Sequence, residues 1–172
     1  MILLLPLLLP GWLSAKVIDS TAHGFTIQHS LLLDASPMEA YQAFVDVSQW
    51  YDAGHSYSGS AANFYLQPQP GGCLCERLPE GGGVQHMQVV FVAPGQMVRL
   101  SGGLGPLQAM AVSGSMSWTF QAEGDQTRLT LTYTVGGYRP GGLQVLAGPV
   151  DGVLGHQASR LQRYLATGSP AG

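Results

Sequence analysis

Residues 112–136 read VSGSMSWTFQAEGDQTRLTLTYTVG, and their alternation decides the class of fold. In the first half, Val112, Met116, Trp118 and Phe120 share one face, while Ser113, Ser115, Ser117 and Thr119 share the other. After the turn at Glu123-Gly124-Asp125, Leu129, Leu131, Tyr133 and Val135 face one way and Arg128, Thr130, Thr132 and Thr134 face the other. Side chains of a strand point to opposite faces at each step. Two such runs joined by a short glycine turn therefore form an antiparallel hairpin with one apolar and one wet face.

Working upstream, the same period predicts short strands near 63–67, 73–78, 84–92 and 97–101. They are separated by the turns Pro70-Gly71-Gly72, Glu80-Gly81-Gly82-Gly83 and Ala93-Pro94-Gly95. An earlier strand carries Phe25, Ile27, His29, Leu31 and Leu33 on one face. Ser36-Pro37-Met38-Glu39 then opens a helix, with Ser36 at the N-cap, Pro37 in the first turn and Glu39 completing a capping box. Ala40, Phe44 and Val47 supply the apolar side of this short helical region, which ends at Trp50-Tyr51. Downstream, Leu143, Leu146, Val150, Leu154, Leu161 and Leu165 recur at helical spacing and predict a long final helix. Pro149 kinks it or marks a restart, and in the latter case Asp151 is an acid of the restarted first turn. Arg160 and Arg163 suit the negative end of its dipole. Gly148, Gly152, Gly155 and Ser159 form a small-residue stripe, which either lets the helix approach the sheet closely or leaves a cavity there.

The expected class is α+β: a curved antiparallel sheet of about seven strands wrapped around a long C-terminal helix, with two short helices after the first strand. Residues 25–167 form a single domain, with a linker over 16–24 and a flexible tail over 168–172. Residues 1–15, MILLLPLLLPGWLSA, have the length of a signal-peptide apolar region and are too short for a membrane-spanning helix. Cleavage there predicts an exported or periplasmic protein; otherwise the chain is cytoplasmic. No stable membrane span is expected.

Only 10% of the 172 residues are charged, with seven Lys plus Arg against ten Asp plus Glu. A net charge of −3 argues against nucleic acid, whose phosphates require clustered basic residues. Lys16 is the only lysine, which excludes lysine chemistry in the body of the domain. Cys73 and Cys75 are read as small buried residues, since two positions along an extended strand are too far apart for good disulfide geometry.

Taken together, Ala35-Ser36-Pro37-Met38-Glu39, Val47-Ser48-Gln49-Trp50-Tyr51, Pro70-Gly71-Gly72, Val92-Ala93-Pro94 and the long final helix resemble the START-like, SRPBCC superfamily of helix-grip domains. The resemblance runs from about Phe25 to Leu165. That superfamily includes the major birch pollen allergen, lipid-transfer START domains, polyketide cyclases and dehydrases, and homologues of the activator of the heat-shock-90 chaperone ATPase. The resemblance implies a cavity between the concave face of the sheet and the long helix, commonly holding an apolar ligand. Its motifs mark the fold and are not catalytic, so chemistry must be argued from the site.

Gly54-His55-Ser56-Tyr57-Ser58 lacks the final glycine and the preceding strand of a nucleophile elbow. Neither Gly103-Leu104-Gly105-Pro106 nor the glycines at 81–83 fit a nucleotide-binding loop. Glu76 lies on the opposite face of its strand from Cys73 and Cys75, which splits the donors of any zinc site shared with His55 or His86, so no metal and no cofactor is expected. The candidate catalytic set is His55, Tyr57, Glu76 and His86. A five-residue connection over 79–83 pairs Glu76 with His86 across two strands, whereas a four-residue one pairs Glu76 with Met87. Facing a cavity, the first arrangement poises His86 for proton transfer; on a solvated face it is a polar staple. His29 is expected to be a satisfied core histidine. Trp50, Tyr51, Trp118, Phe120, Tyr133 and Asp151 complete the candidate ligand-binding set, the aromatics being core residues that also suit a pocket wall.

The leading expectation is the binding of a small apolar, lipid-like or polyketide-like ligand. The alternative is an acid/base enzyme of the cyclase or dehydrase kind acting on a carbonyl compound in the same cavity. A third is a chaperone-associated regulatory domain, whose cytosolic partner export would make inaccessible.

Overall fold

One sheet of eight antiparallel strands dominates the computed structural model, which describes residues 16–171. The expected leader over residues 1–15 lies outside the described residues. The strands are β1 (Lys16–Thr21), β2 (Gly24–Leu33), β3 (Phe64–Leu66), β4 (Cys73–Arg77), β5 (Gly83–Ala93), β6 (Met97–Ser101), β7 (Ala111–Glu123) and β8 (Gln126–Tyr138). Their spatial order is β1-β2-β8-β7-β6-β5-β4-β3. Helices α1 (Pro37–Val45) and α2 (Val47–Trp50) connect β2 to β3, and α3 (Gln144–Thr167) closes the chain. The class is α+β, as expected, with one strand more than the sequence suggested. Residues read as a linker form β1, which pairs with β2 from Lys16 opposite Gln28 to Thr21 opposite Gly24. An edge strand needs no buried face; Ile18 is half exposed, and β1 lacks the alternation that marks the inner strands.

The β7–β8 hairpin stacks Met116 against Tyr133, Trp118 against Leu131 and Phe120 against Leu129, all buried. On the wet face, the Thr26 and Thr134 hydroxyls bond to each other at 3.1 Å, and Gln28 Nε2 donates to Thr132 Oγ1 at 3.2 Å. The capping box forms as predicted: Glu39 N donates to Ser36 Oγ, and Ser36 N donates to Glu39 Oε2 at 2.8 Å. Helix α1 thereby turns Ala40, Tyr41 and Phe44 inward. Phe44 packs 5.0 Å from Trp118 and 5.7 Å from Phe120, while Trp50 lies 6.0 Å from Trp118. The space directly between sheet and helices is filled by these rings, leaving a void of about 20 Å³.

Helix α3 runs through Pro149 as a single element, so Asp151 belongs to the helix interior and not to a restarted first turn. The last turn carries no basic residue. In place of the expected dipole role, Arg160 Nε donates to the Trp50 carbonyl at 2.8 Å and Nη2 to that of Tyr51 at 3.3 Å, stapling α3 to the end of α2. Arg163 Nε reaches the Pro170 carbonyl at 3.1 Å, folding the tail back past Gly168. The small-residue stripe divides. A Cβ at Gly155 would lie 2.6 Å from Cε1 of the buried His29, so this glycine serves close approach of helix and sheet. Gly148 and Gly152 are exposed, with nothing within 4 Å of a Cβ, and line no cavity.

Candidate functional site

Two segments and one helix face border an open pocket of about 390 Å³. One segment is the Tyr51–Tyr57 loop, the second is the Leu104–Met110 stretch between β6 and β7, and the helix face carries Leu146, Pro149, Val150, Val153 and Leu154 of α3. The wall is mainly apolar, and its size falls within the usual range of small-molecule sites. The pocket lies along the N-terminal half of α3, beside the filled interior and not within it.

Both segments are held by polar contacts. The Tyr133 hydroxyl donates to the Gly102 carbonyl at 3.0 Å and accepts from Leu104 N at 3.1 Å. Its ring fits because Gly114 leaves room: a Cβ there would meet Tyr133 Cε2 at 2.6 Å. Gln108 Nε2 donates to the Gln85 carbonyl, fastening the same segment to β5. On the other side, Asp52 N donates to Oε1 of the buried Gln157 at 3.0 Å, and Gln157 Nε2 lies 3.3 Å from His55 Nδ1. Asp52 Oδ2 is 3.1 Å from both His55 Nδ1 and His156 Nε2. A bond to Gly54 N, with lesser help from Arg160, His55 and His156, holds the Asp52 carboxyl below its ordinary range despite burial.

Glu76 and His86 meet at the back of the pocket, with His86 Nε2 donating to Glu76 Oε2 at 2.9 Å. Neither expected register produces this contact. Glu76 pairs with Val84, Leu74 pairs with Met87, and the extra residue of β5 between these rungs forms a bulge. His86 and Met87 therefore both turn inward in succession, bringing the imidazole to the carboxylate from one rung away. Glu76 also accepts backbone N–H groups from Tyr57 and Ser58, so it anchors the pocket loop to the sheet. Burial works to raise the Glu76 carboxyl, but the bonds from Ser58, Tyr57 and His86 outweigh it and hold the group below its ordinary range. Burial pushes His86 down, against the opposing pull of Glu76. The product is an ionised carboxylate facing a neutral imidazole at neutral pH. The imidazole is stacked 5.0 Å from Phe64, with Tyr57 5.9 Å away, and its Nδ1 is buried without a protein partner.

The candidate residues thus fall into two groups. Tyr51, His55, Tyr57 and His86 border the pocket, with Glu76 directly behind His86. Burial pushes the Tyr51 phenol far up, with Glu76 and Asp52 adding to the shift, so it stays neutral. Trp50, Trp118, Phe120 and Tyr133, considered as wall residues, do not line this pocket; they fill the core, where Phe44 of α1 and Trp50 of α2 pack against Trp118. Asp151 also lies off the pocket; its backbone carbonyl, 3.1 Å from His29 Nε2, gives that core histidine the partner it requires. The sequence reading missed Gln157 and the Leu104–Met110 wall. Gln157 sits three residues after Leu154 on the buried stripe of α3, which is the signal that marks it. The wall residues had no periodicity to reveal them.

A second correction concerns Cys73 and Cys75, which form a disulfide. Their Cα atoms are 5.4 Å apart, nearer than the roughly 6.6 Å spanned by two fully extended residues. This separation is within bonding range, and the pair spans the register shift between Leu74 and Cys75. Among the described residues, no group of three or more His, Cys, Asp or Glu side chains converges as a metal site, and no helix is long and apolar enough to cross a membrane.

No family model and no curated protein sequence matches the chain. Similar solved structures include Ara h 8.0201, with a TM-score of 0.61 at 11% identity over 84% of this chain and 99% of that one. The Aha1 dimer from Colwellia psychrerythraea gives 0.57 at 17% identity, over 83% and 97% respectively. CalU16 from Micromonospora echinospora gives 0.54 at 14% identity, over 93% and 84%. At these identities the likeness is one of fold alone. The sheet, the long C-terminal helix and these neighbours together show that the chain has the helix-grip fold.

Proposed function

We propose that this protein is a START-like, SRPBCC-type domain that binds a small apolar molecule in the pocket beside α3. The observation that carries the reading is the pocket itself: about 390 Å³, walled mainly by aliphatic side chains and bordered by two pinned segments. At about 0.3–0.5 kcal/mol for each non-hydrogen atom, a rigid hydrocarbon probe such as trans-stilbene binds with a Kd on the order of 10 µM to 1 mM. Val153 projects from α3 into the pocket wall. Val153→Trp fills the space and is expected to weaken stilbene binding at least tenfold without altering the circular dichroism spectrum. Absence of stilbene uptake by the wild type, or full uptake by the variant, refutes the reading.

The Glu76–His86 pair favours one further reading, an acid/base enzyme acting on a carbonyl compound in the same pocket. A neutral imidazole backed by an ionised carboxylate is suited to accept a proton, as in other general-base dyads. The test follows deuterium entry into the methyl group of 4-acetylstilbene in D₂O. Exchange that the protein accelerates, and that His86→Phe abolishes, supports it; an unaccelerated rate removes it.

The disulfide supports an exported location, because such bonds persist in oxidising compartments. N-terminal sequencing of the mature protein tests this: a start near Lys16 supports export, and an intact Met1 refutes it.

A further inference from the structure

We infer that the pocket selects neutral, apolar molecules carrying a hydroxyl or N–H group, which donates a hydrogen bond to His86 Nδ1. The inference rests on the apolar-ligand reading above and names the ligand class for that site. Its first support is the fixed tautomer. Glu76 Oε2 lies 2.9 Å from His86 Nε2, and the ionised carboxylate only accepts, so the ring proton is on Nε2 and Nδ1 presents a bare lone pair. The second is that this lone pair is buried and unpartnered in a residue of the pocket wall. Phe64 stacks on the ring at 5.0 Å and Tyr57 lies 5.9 Å from it.

The third support is that two other polar side chains of the wall are already engaged. Ser56 Oγ donates to the Ala53 carbonyl at 2.7 Å, and His55 Nδ1 is occupied by Asp52 and Gln157. The Tyr51 and Tyr57 hydroxyls of the wall can donate as well as accept, so the buried His86 Nδ1 is a side-chain atom there that only a ligand donor satisfies. A buried acceptor left unpaired carries its full desolvation penalty, and a ligand donor relieves it. A carboxylate ligand fails on both counts. It brings a second lone pair against Nδ1, and its charge is repelled by Glu76 across the ring.

Four probes separate the possibilities: trans-stilbene, 4-hydroxystilbene, 4-methoxystilbene and stilbene-4-carboxylate, titrated by fluorescence at pH 8. The hydroxyl compound is expected to bind about three- to tenfold tighter than the methoxy one, the worth of a single net hydrogen bond, and the carboxylate weakest of all. His86→Phe preserves the stacked ring and is expected to erase the hydroxyl preference. A second measurement needs no variant. In ¹⁵N-histidine-labelled wild type, His86 should show a protonated Nε2 and a bare Nδ1, and only 4-hydroxystilbene should shift the Nδ1 resonance upfield. Equal binding of hydroxyl and methoxy probes, or a His86 proton on Nδ1, overturns the inference while leaving apolar binding intact. Failure of all four probes to bind overturns the apolar-ligand reading and the inference with it.

Discussion

Replacing Gly155 by alanine tests how α3 is seated on the sheet. The added Cβ would lie 2.6 Å from Cε1, 3.1 Å from Nδ1 and 3.3 Å from Nε2 of His29. Ordinary carbon contacts begin near 3.5 Å, so ring or helix must shift by roughly 1 Å. The ring is not free to do so: it is buried on β2, and Nε2 is held 3.1 Å from the Asp151 carbonyl and 3.0 Å from Oδ1. Overpacking of this kind costs about 1–3 kcal/mol. The same substitution gains about 1 kcal/mol of helix propensity, which masks part of the cost. Gly152→Ala supplies the control, because a Cβ there meets nothing within 4 Å and only the propensity gain operates. Gly148 is a poorer control, since a side chain before Pro149 is disfavoured in helical backbone. In urea denaturation, Gly152→Ala should be stabilised by up to about 1 kcal/mol, with Gly155→Ala lower by about 1–3 kcal/mol. A His29→Ala background should close most of that gap. Equal stability of the two alanine variants, or an unchanged gap without the imidazole, would refute the proposed seating.

Three further outcomes are expected. Tyr133→Phe leaves Leu104 N without its partner, while the Gly102 carbonyl keeps Gly114 N, so unfolding experiments should show a loss of about 1–3 kcal/mol, with faster amide exchange at Leu104 and weaker stilbene binding. Stability should also fall on acidification in two stages. Below about pH 6.5 the unfolded chain takes up a proton that buried His86 resists, and below about pH 4.5 the same holds for Glu76, each contributing a slope of at most about 1.4 kcal/mol per pH unit. A melting temperature unchanged between pH 7 and 5 contradicts the first stage. Reducing the Cys73–Cys75 bond should cost no more than about 2 kcal/mol, since so short a loop restricts the unfolded chain little. Calorimetry with and without dithiothreitol checks this, and unfolding on reduction would refute it.

Local periodicity alone placed the six strands after α2 to within a residue or two, the capping box at Ser36 and the extent of α3, because these depend on alternation and capping chemistry that neighbouring residues specify. Strand β1 escaped notice because an exposed edge lacks that alternation. The candidate site was legible in its residue types but not in its arrangement. His55, Tyr57, Glu76 and His86 were identifiable as the ionisable or hydroxyl groups near turns, yet the Glu76–His86 contact depends on a bulge in β5, a displacement of one residue that period-two reasoning cannot register. Whether an aromatic ring fills the core or borders a pocket is likewise a question of three-dimensional packing. Trp50 and Trp118 lie where α1 and α2 cover the sheet, while Tyr51, one residue along, reaches the pocket. Sequence thus determined the elements and the chemical inventory, through interactions a few residues apart. Only the tertiary structure decided which nitrogen of His86 stands unpaired at the pocket wall, because that depends on contacts between a loop, two strands and a helix distant along the chain.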